Sequence, residues 1–187
     1  MKYTDYAKNT INVIENTFEF ESLIEDISNE LVKIINADKK VMWVGNGGSA
    51  SDCLHYSAEL MGRFLKDRKP LRSVSLTSDI SAITAIGNDY GFENIFSRQV
   101  EGIGSSGDAI FCLSTSGSSV NVVKAAEKAK EIGIQVISIT GNGSEDLKRV
   151  SDLSIMIPST EVNVIQEVYQ IVCSYICFRV ERNLFKW

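Results

Sequence analysis

Val41-Met-Trp-Val-Gly-Asn-Gly-Gly-Ser-Ala-Ser-Asp52 is the stretch on which the reading of this chain turns. A short apolar run ends in a glycine-rich turn and opens directly into a helical pattern, which is how a phosphate-binding loop is built. Without a Cβ, Gly45, Gly47 and Gly48 can take positive φ and let backbone N–H groups approach a ligand. The following helix adds unpaired N–H donors and the positive end of its dipole, and both favour an anion. A second loop, Ser114-Thr-Ser-Gly-Ser-Ser119, follows another apolar run, Ala109-Ile-Phe-Cys-Leu113. Two such loops in one small domain point to a phosphorylated ligand.

Working outward, short apolar runs at 40–44, 72–76, 109–113, 134–139 and 153–157 read as strands. Helical spacing fills 50–64, 79–87, 92–103, 119–132, 144–149 and 161–184, and two amphipathic helices, 5–17 and 21–37, precede them. Strand–helix alternation with continuously apolar strands predicts an α/β fold with a five-stranded parallel sheet covered on both faces. The loops that follow the strands then converge on the sheet's C-terminal edge, where such folds bind ligands. The last helix is apolar almost all round (Val162, Val164, Ile165, Val168, Val172, Ile176, Phe178, Val180) and spans roughly 35 Å, so it needs burial or a partner. The N-terminal helix pair has the same need, and oligomerisation through these helices is expected.

The 187 residues, 44% of them hydrophobic, suffice for one domain with a full core. Only two prolines occur, no linker or repeat interrupts the chain, and no apolar run reaches the ~18 residues that span a bilayer. The N-terminus lacks the apolar core of a signal peptide, and four scattered cysteines show no metal-type spacing, so a reduced, cytoplasmic protein is expected. Cys173 and Cys177 share a helical face and read as buried thiols. A net charge of −5 argues against a general nucleic-acid binder. Arg63, Lys66, Arg68, Lys69 and Arg72 form a local basic cluster that reads first as a solvated helix end and second as a ligand site.

Gly45-x-Gly47-x-x-Ala50 fits a loose dinucleotide fingerprint, but no acidic residue closes the second strand, and no nucleotide cofactor is expected. The second loop is more telling. Ser114, Thr115, Ser116, Ser118 and Ser119 crowd there, and a phosphate monoester with three exposed oxygens is matched by many hydroxyl and N–H donors. A Ser-capped helix start accounts for only one or two of them. His55 and Glu59 lie four apart on one helical face, which is either a surface pair or a carboxylate base and metal pair facing the ligand.

The phrases Gly45-Asn-Gly-Gly-Ser-Ala-Ser-Asp52, His55-Tyr-Ser-Ala-Glu-Leu-Met-Gly-Arg63, Ile86-Gly-Asn-Asp-Tyr-Gly-Phe92, Phe96-Ser-Arg98, Ser114-Thr-Ser-Gly117 and Ile165-Gln-Glu167 resemble the phosphoheptose isomerase branch of the sugar isomerase (SIS) domain proteins, from about residue 10 to the C-terminus. The resemblance implies a single SIS domain over 1–187, a flavodoxin-like three-layer sandwich with N-terminal oligomerisation helices over 1–38 and a sugar-phosphate-binding core over 39–187. It implies that Asn46, Gly47, Gly48, Ser49, Asn88, Asp89 and Gln166 contact the sugar phosphate, and that Ser114, Thr115, Ser116 and Ser119 hold the phosphate. Glu59, itself in contact with the substrate, would be the catalytic acid–base residue in interconverting sedoheptulose 7-phosphate and a heptose 7-phosphate, a step in lipopolysaccharide or capsule precursor synthesis. It also implies zinc on His55, Glu59 and Gln166, and a homotetramer with shared active sites.

The chain departs from the family at one position. The second catalytic histidine of the family, two turns beyond the glutamine, corresponds to Ser174, Tyr169 stands where many relatives carry a histidine, and His55 is the only histidine present. Serine has no side-chain pKa useful near neutrality. Either Glu59 works alone, or a tyrosine or water takes the second role, or isomerisation is slow or lost. A non-catalytic SIS protein of the kind that associates with the replication initiator DnaA is the alternative, and a sugar-phosphate sensor is a third.

Overall fold

A computed structural model describes residues Met1–Trp187. Five parallel strands form one sheet in the order β2-β1-β3-β4-β5, with β1 at Val41–Gly45, β2 at Ser73–Ser75, β3 at Ala109–Ser114, β4 at Gln135–Gly141 and β5 at Leu153–Ile157. Every residue of β1 and β3 is buried, as a parallel strand covered on both faces requires. The period-2 alternation divides their side chains between two cores. Val41, Trp43, Ala109, Phe111 and Leu113 join α1 (Tyr3–Asn16), α2 (Glu21–Asn36), α3 (Gly48–Met61) and α8 (Val162–Phe185) on one face. Met42, Val44, Ile110 and Cys112 join α5 (Ser97–Ile103), α6 (Val120–Ile132) and α7 (Asp146–Val150) on the other.

The strand order reverses direction between β1 and β3. In a doubly wound sheet that is the switch point, where the loops leaving two neighbouring strands part to opposite faces and open a crevice. The glycine-rich loop follows β1 and the serine-rich loop follows β3. The two stretches singled out in the sequence therefore flank this crevice.

Several boundaries differ from the sequence reading, each for a local reason. The helix expected over 50–64 begins at Gly48 and ends at Met61, where the chain leaves helical geometry at Gly62 (φ −82°, ψ −100°). The helix expected over 79–87 starts on a cap, the Asp79 side chain accepting from the N–H of Ala82, and runs on to Tyr90. The one expected over 92–103 is divided into a 3₁₀ turn at Phe92–Asn94 and α5. The edge strand β2 has three residues rather than the five of 72–76, and Ser73 accepts from the buried Trp43 indole at 3.0 Å.

The basic cluster is not simply a solvated helix end. Arg68 has a side chain only 2% exposed, ion-paired to a fully buried Glu181 on α8. The four cysteines are buried and free, and burial pushes the thiols up, which keeps them protonated. Along α8 the buried stripe runs from Val164 to Glu181, whereas Val162 and Ile171 stay about half exposed. The helix α4 (Ile80–Tyr90) contains no buried residue at all. No helix is long and apolar enough to cross a membrane.

Candidate active site

The first loop forms because Gly47 sits at φ +55°, a left-handed conformation that turns the chain sharply from β1 into α3. A helix cannot satisfy its own first-turn N–H groups. In α3 the first N–H to reach a carbonyl is that of Ala50, which bonds to Asn46 and Gly47, so those of Gly48 and Ser49 stay open to a ligand. Gly48 lets the Gln166 amide lie against it: a Cβ there would meet that amide at 2.4 Å and the glutamine side chain would have to move. Ser49 is buried and its hydroxyl lies 2.5 Å from that of Tyr169, so it faces a ligand with its backbone alone.

The second loop gathers its hydroxyls. Ser114 Oγ lies 3.5 Å from Ser116 Oγ and 3.3 Å from Ser119 Oγ, and it accepts from the N–H of Gly117 at 3.2 Å. Ser116 is exposed, Thr115 and Ser119 are half-buried, and Ser114 is buried at the end of β3. Ser119 is the N-cap of α6, and its carbonyl accepts from Val122 and Val123, both at 3.0 Å. Three serine hydroxyls and the N-terminus of a 13-residue helix thus face one small volume.

Asn46 and Asn121 join the loops. Each side-chain amide donates to the other's carbonyl oxygen at 2.8 Å, across the space between β1 and the first turn of α6. Asn46 was expected to contact the sugar, and part of its hydrogen-bonding capacity is committed here. Asn121, 3% exposed, escaped the sequence reading. Its only signal was a polar residue on a helical position whose neighbours at i+1 and i+4 are core valine and alanine.

His55 Nε2 lies 3.1 Å from Glu59 Oε1, with the histidine about half exposed and the carboxylate side chain 24% exposed. The pair is real, accessible and on one face of α3. One turn earlier Asp52 is buried and accepts from Gln170 Nε2 at 3.0 Å. Burial raises its carboxyl above the usual range, against the lowering effects of Gln170 and His55. The neighbouring phenols are committed elsewhere: Tyr56 donates to the Gln170 carbonyl at 3.0 Å and Tyr169 pairs with Ser49. Burial pushes both phenols up, so neither takes a proton from a substrate near neutral pH. Ser174 is half-buried.

Gln166 rests against Gly48, seven residues before His55 and so roughly 10 Å from it along α3. Asn88 and Asp89 are exposed near the C-terminal end of α4 and bond to each other at 2.7 Å. One chain therefore brings together the two loops, and separately the His55–Glu59 pair.

A family model described as SIS domain matches residues 2–141. The phosphoheptose isomerase of Akkermansia muciniphila is 40% identical over 186 residues, covering 97% of this chain and 98% of that protein. The phosphoheptose isomerase of Rhodospirillum rubrum is 50% identical over 150 residues, 80% of each chain. This chain belongs to the phosphoheptose isomerase family. Among solved structures, the phosphoheptose isomerase from Neisseria gonorrhoeae matches with a TM-score of 0.90 at 31% identity, over 95% of this chain and 96% of that one. That from Francisella tularensis matches with a TM-score of 0.91 at 30% identity, over 97% and 100%.

For a phosphoheptose isomerase fold, the donor set bears on a metal. His55 and Glu59 offer nitrogen and carboxylate donors already 3.1 Å apart, the spacing of ligands on one divalent ion. No group of three His, Cys, Asp or Glu side chains comes together in the chain, and Gln166 would have to turn away from Gly48 to contribute. The residues fit two arms of a zinc site.

Proposed function

We propose that this protein interconverts sedoheptulose 7-phosphate and D-glycero-D-manno-heptose 7-phosphate, a step that supplies heptose for surface polysaccharide. The observation that carries this reading is the pair of anion-ready loops at the β1/β3 switch point, locked together by Asn46 and Asn121. The phosphate lies on the hydroxyls of Ser114, Ser116 and Ser119 and on Thr115, with the N–H groups of α6 behind them. The open N–H groups of Gly48 and Ser49, with Asn46, Gly47 and Gln166, receive sugar oxygens, and so do Asn88 and Asp89.

Aldose–ketose exchange needs a base beside the carbon next to the carbonyl. Glu59 takes the proton from one of C1 and C2 and returns it to the other through an enediol, while the hydroxyl proton passes between O1 and O2. With Ser174 in place of the family's histidine and both nearby phenols held protonated, the side chain paired with that carboxylate is His55, at 3.1 Å. Zinc, when bound, would be held by His55 and Glu59, with Gln166 able to serve as a third arm only from another subunit because it rests against Gly48 in its own chain, and would polarise the substrate's carbonyl oxygen.

Glu59 stands eleven residues from Gly48, roughly 16 Å along α3. That separation supports a homotetramer in which the loops of one subunit work with the Glu59 of another. The surface agrees, since α4 buries nothing and exposes Ile80 and Tyr90. A groove of about 410 Å³ between the N-terminal helices and α8 is lined by Ile14, Phe18, Ile24, Ile171 and Tyr175. The share of that groove lined by Ile14, Phe18 and Ile24 supports reading 1–38 as an oligomerisation segment.

An NMR time course with sedoheptulose 7-phosphate, run beside Glu59→Gln, tests the reading. Wild type is expected to form an aldose phosphate and the variant to form none. Saturable binding without conversion by the wild type would establish a non-catalytic SIS protein instead.

A further inference from the structure

The last turn of α3, which carries Glu59, does not end as helices usually do. Its final carbonyls lack intrahelical partners, and no C-cap residue in left-handed conformation supplies them, since Gly62 sits at φ −82°. Arg68 supplies them instead. Its Nη2 donates to the carbonyl of Glu59 at 2.7 Å, and its Nη1 to the carbonyls of Leu60 at 2.8 Å and Gly62 at 2.9 Å. A guanidinium placed here also opposes the negative end of the helix dipole.

Arg68 is held in turn by α8. Its Nε donates to Glu181 Oε1 at 3.1 Å, and Glu181 also accepts from the N–H groups of Leu65 at 2.8 Å, Phe64 at 3.2 Å and Lys66 at 3.3 Å. The Phe185 ring lies 5.9 Å from the guanidinium carbon. Burial works to raise the Glu181 carboxyl, and these four donors outweigh it, holding it below the usual range. A carboxylate with no solvent exposure and an arginine 2% exposed form a unit that a merely soluble surface turn does not need.

We propose that Arg68 and Glu181 are positioning residues for the isomerase: they clamp the backbone at Glu59 and so fix where its carboxylate stands. The inference rests on Glu59 being the base. Neither side chain is placed in contact with substrate. Their effect passes through the Glu59 carbonyl and through the packing of segment 62–68 against α8. Displacing a reacting group by about an ångström is enough to lower turnover on the order of 100-fold.

The test uses the full-length protein with sedoheptulose 7-phosphate, comparing Arg68→Lys, Arg68→Ala, Glu181→Gln and Glu59→Gln. Lysine keeps the charge but cannot span the Glu59 and Leu60 carbonyls with one planar fork. Arg68→Lys is expected to lose about 10- to 100-fold in kcat, with KM and inorganic phosphate affinity unchanged, because the anion loops lie at the other end of α3. Glu181→Gln, close in shape, is expected to lose less. Millimolar guanidinium is expected to restore part of the kcat of Arg68→Ala and none of that of Glu59→Gln. Wild-type kcat per folded molecule in Arg68→Lys and Glu181→Gln, with folded fraction read by circular dichroism, overturns the inference. If the Arg68 variants do not fold, Glu181→Gln decides by the same measure. Full activity in Glu59→Gln overturns the assignment of the base, and the clamp falls with it.

Discussion

At its N-terminus α3 leaves the N–H groups of Gly48 and Ser49 without carbonyl partners, whereas at its C-terminus the carbonyls of Ala58, Glu59 and Leu60 are all taken. The contrast follows from what each end has to do. A site that binds an anion must keep donors unsatisfied until the ligand arrives, so it is made of glycine and short polar residues beside solvent. A turn proposed to hold the base must not fray, so the carbonyls of Glu59 and Leu60 accept from a buried guanidinium, which a buried carboxylate holds in place. On the proposed function, the same 14-residue helix carries an open end for recognition and a closed end for chemistry.

The sharpest way to separate the two ends is Glu59→Gln. It is expected to lower kcat by about 100- to 10,000-fold while inorganic phosphate binding, followed by calorimetry, stays as in wild type. Loss of phosphate binding in that variant would mean that the two ends do not act separately.

Arg68→Met attacks the closed end and leaves Glu181 buried without its cation. The expected cost is about 3–5 kcal/mol in urea unfolding, as for other buried pairs broken on one side. The carboxylate's own share can be read from pH. Its folded pKa lies below the unfolded value of 4.5, so its stabilisation is fully present above pH 4.5 and is lost as pH falls through the folded pKa. Glu181→Gln is expected to flatten the acid limb of stability against pH over that window, and an unchanged limb would show that other carboxylates govern it.

Gly47→Ala tests the open end. Nothing lies within 4 Å of the added Cβ, so its cost is the backbone conformation alone, φ +55° and ψ −122°, about 1–3 kcal/mol. Weaker binding of the sugar phosphate should accompany the lost stability. The smallest effect is expected from Ser116→Ala, which removes one exposed hydroxyl from the phosphate cluster. Affinity for inorganic phosphate should fall by about 1–2 kcal/mol, and an unchanged affinity would place the anion elsewhere.

Much of the architecture was legible because it is encoded locally. Apolar runs such as Val41–Val44 and Ala109–Leu113, each followed by a glycine- or serine-rich turn and a helical pattern, specify strand, loop and helix within a dozen residues. Where side chains reach across the fold, the reading failed. Arg68 looked like one of five solvated cations, because nothing in its neighbours reveals a carboxylate waiting on α8. Asn46 looked free for a ligand, because its partner lies in another loop. Ser49 was expected to contact the sugar phosphate, and nothing in its neighbours shows that Tyr169 pairs with its hydroxyl.

What the sequence determined by itself was the alternation of strands and helices, the two anion-ready loops and the placing of His55 and Glu59 on one helical face, since periodicity and glycine geometry act over neighbouring residues. The tertiary structure alone decided that Asn46 meets Asn121 across 75 positions and that Arg68 meets Glu181 across 113. Those pairings depend on the strand order β2-β1-β3 and on α8 lying along α3, and they exist only once buried apolar surface has brought the layers together.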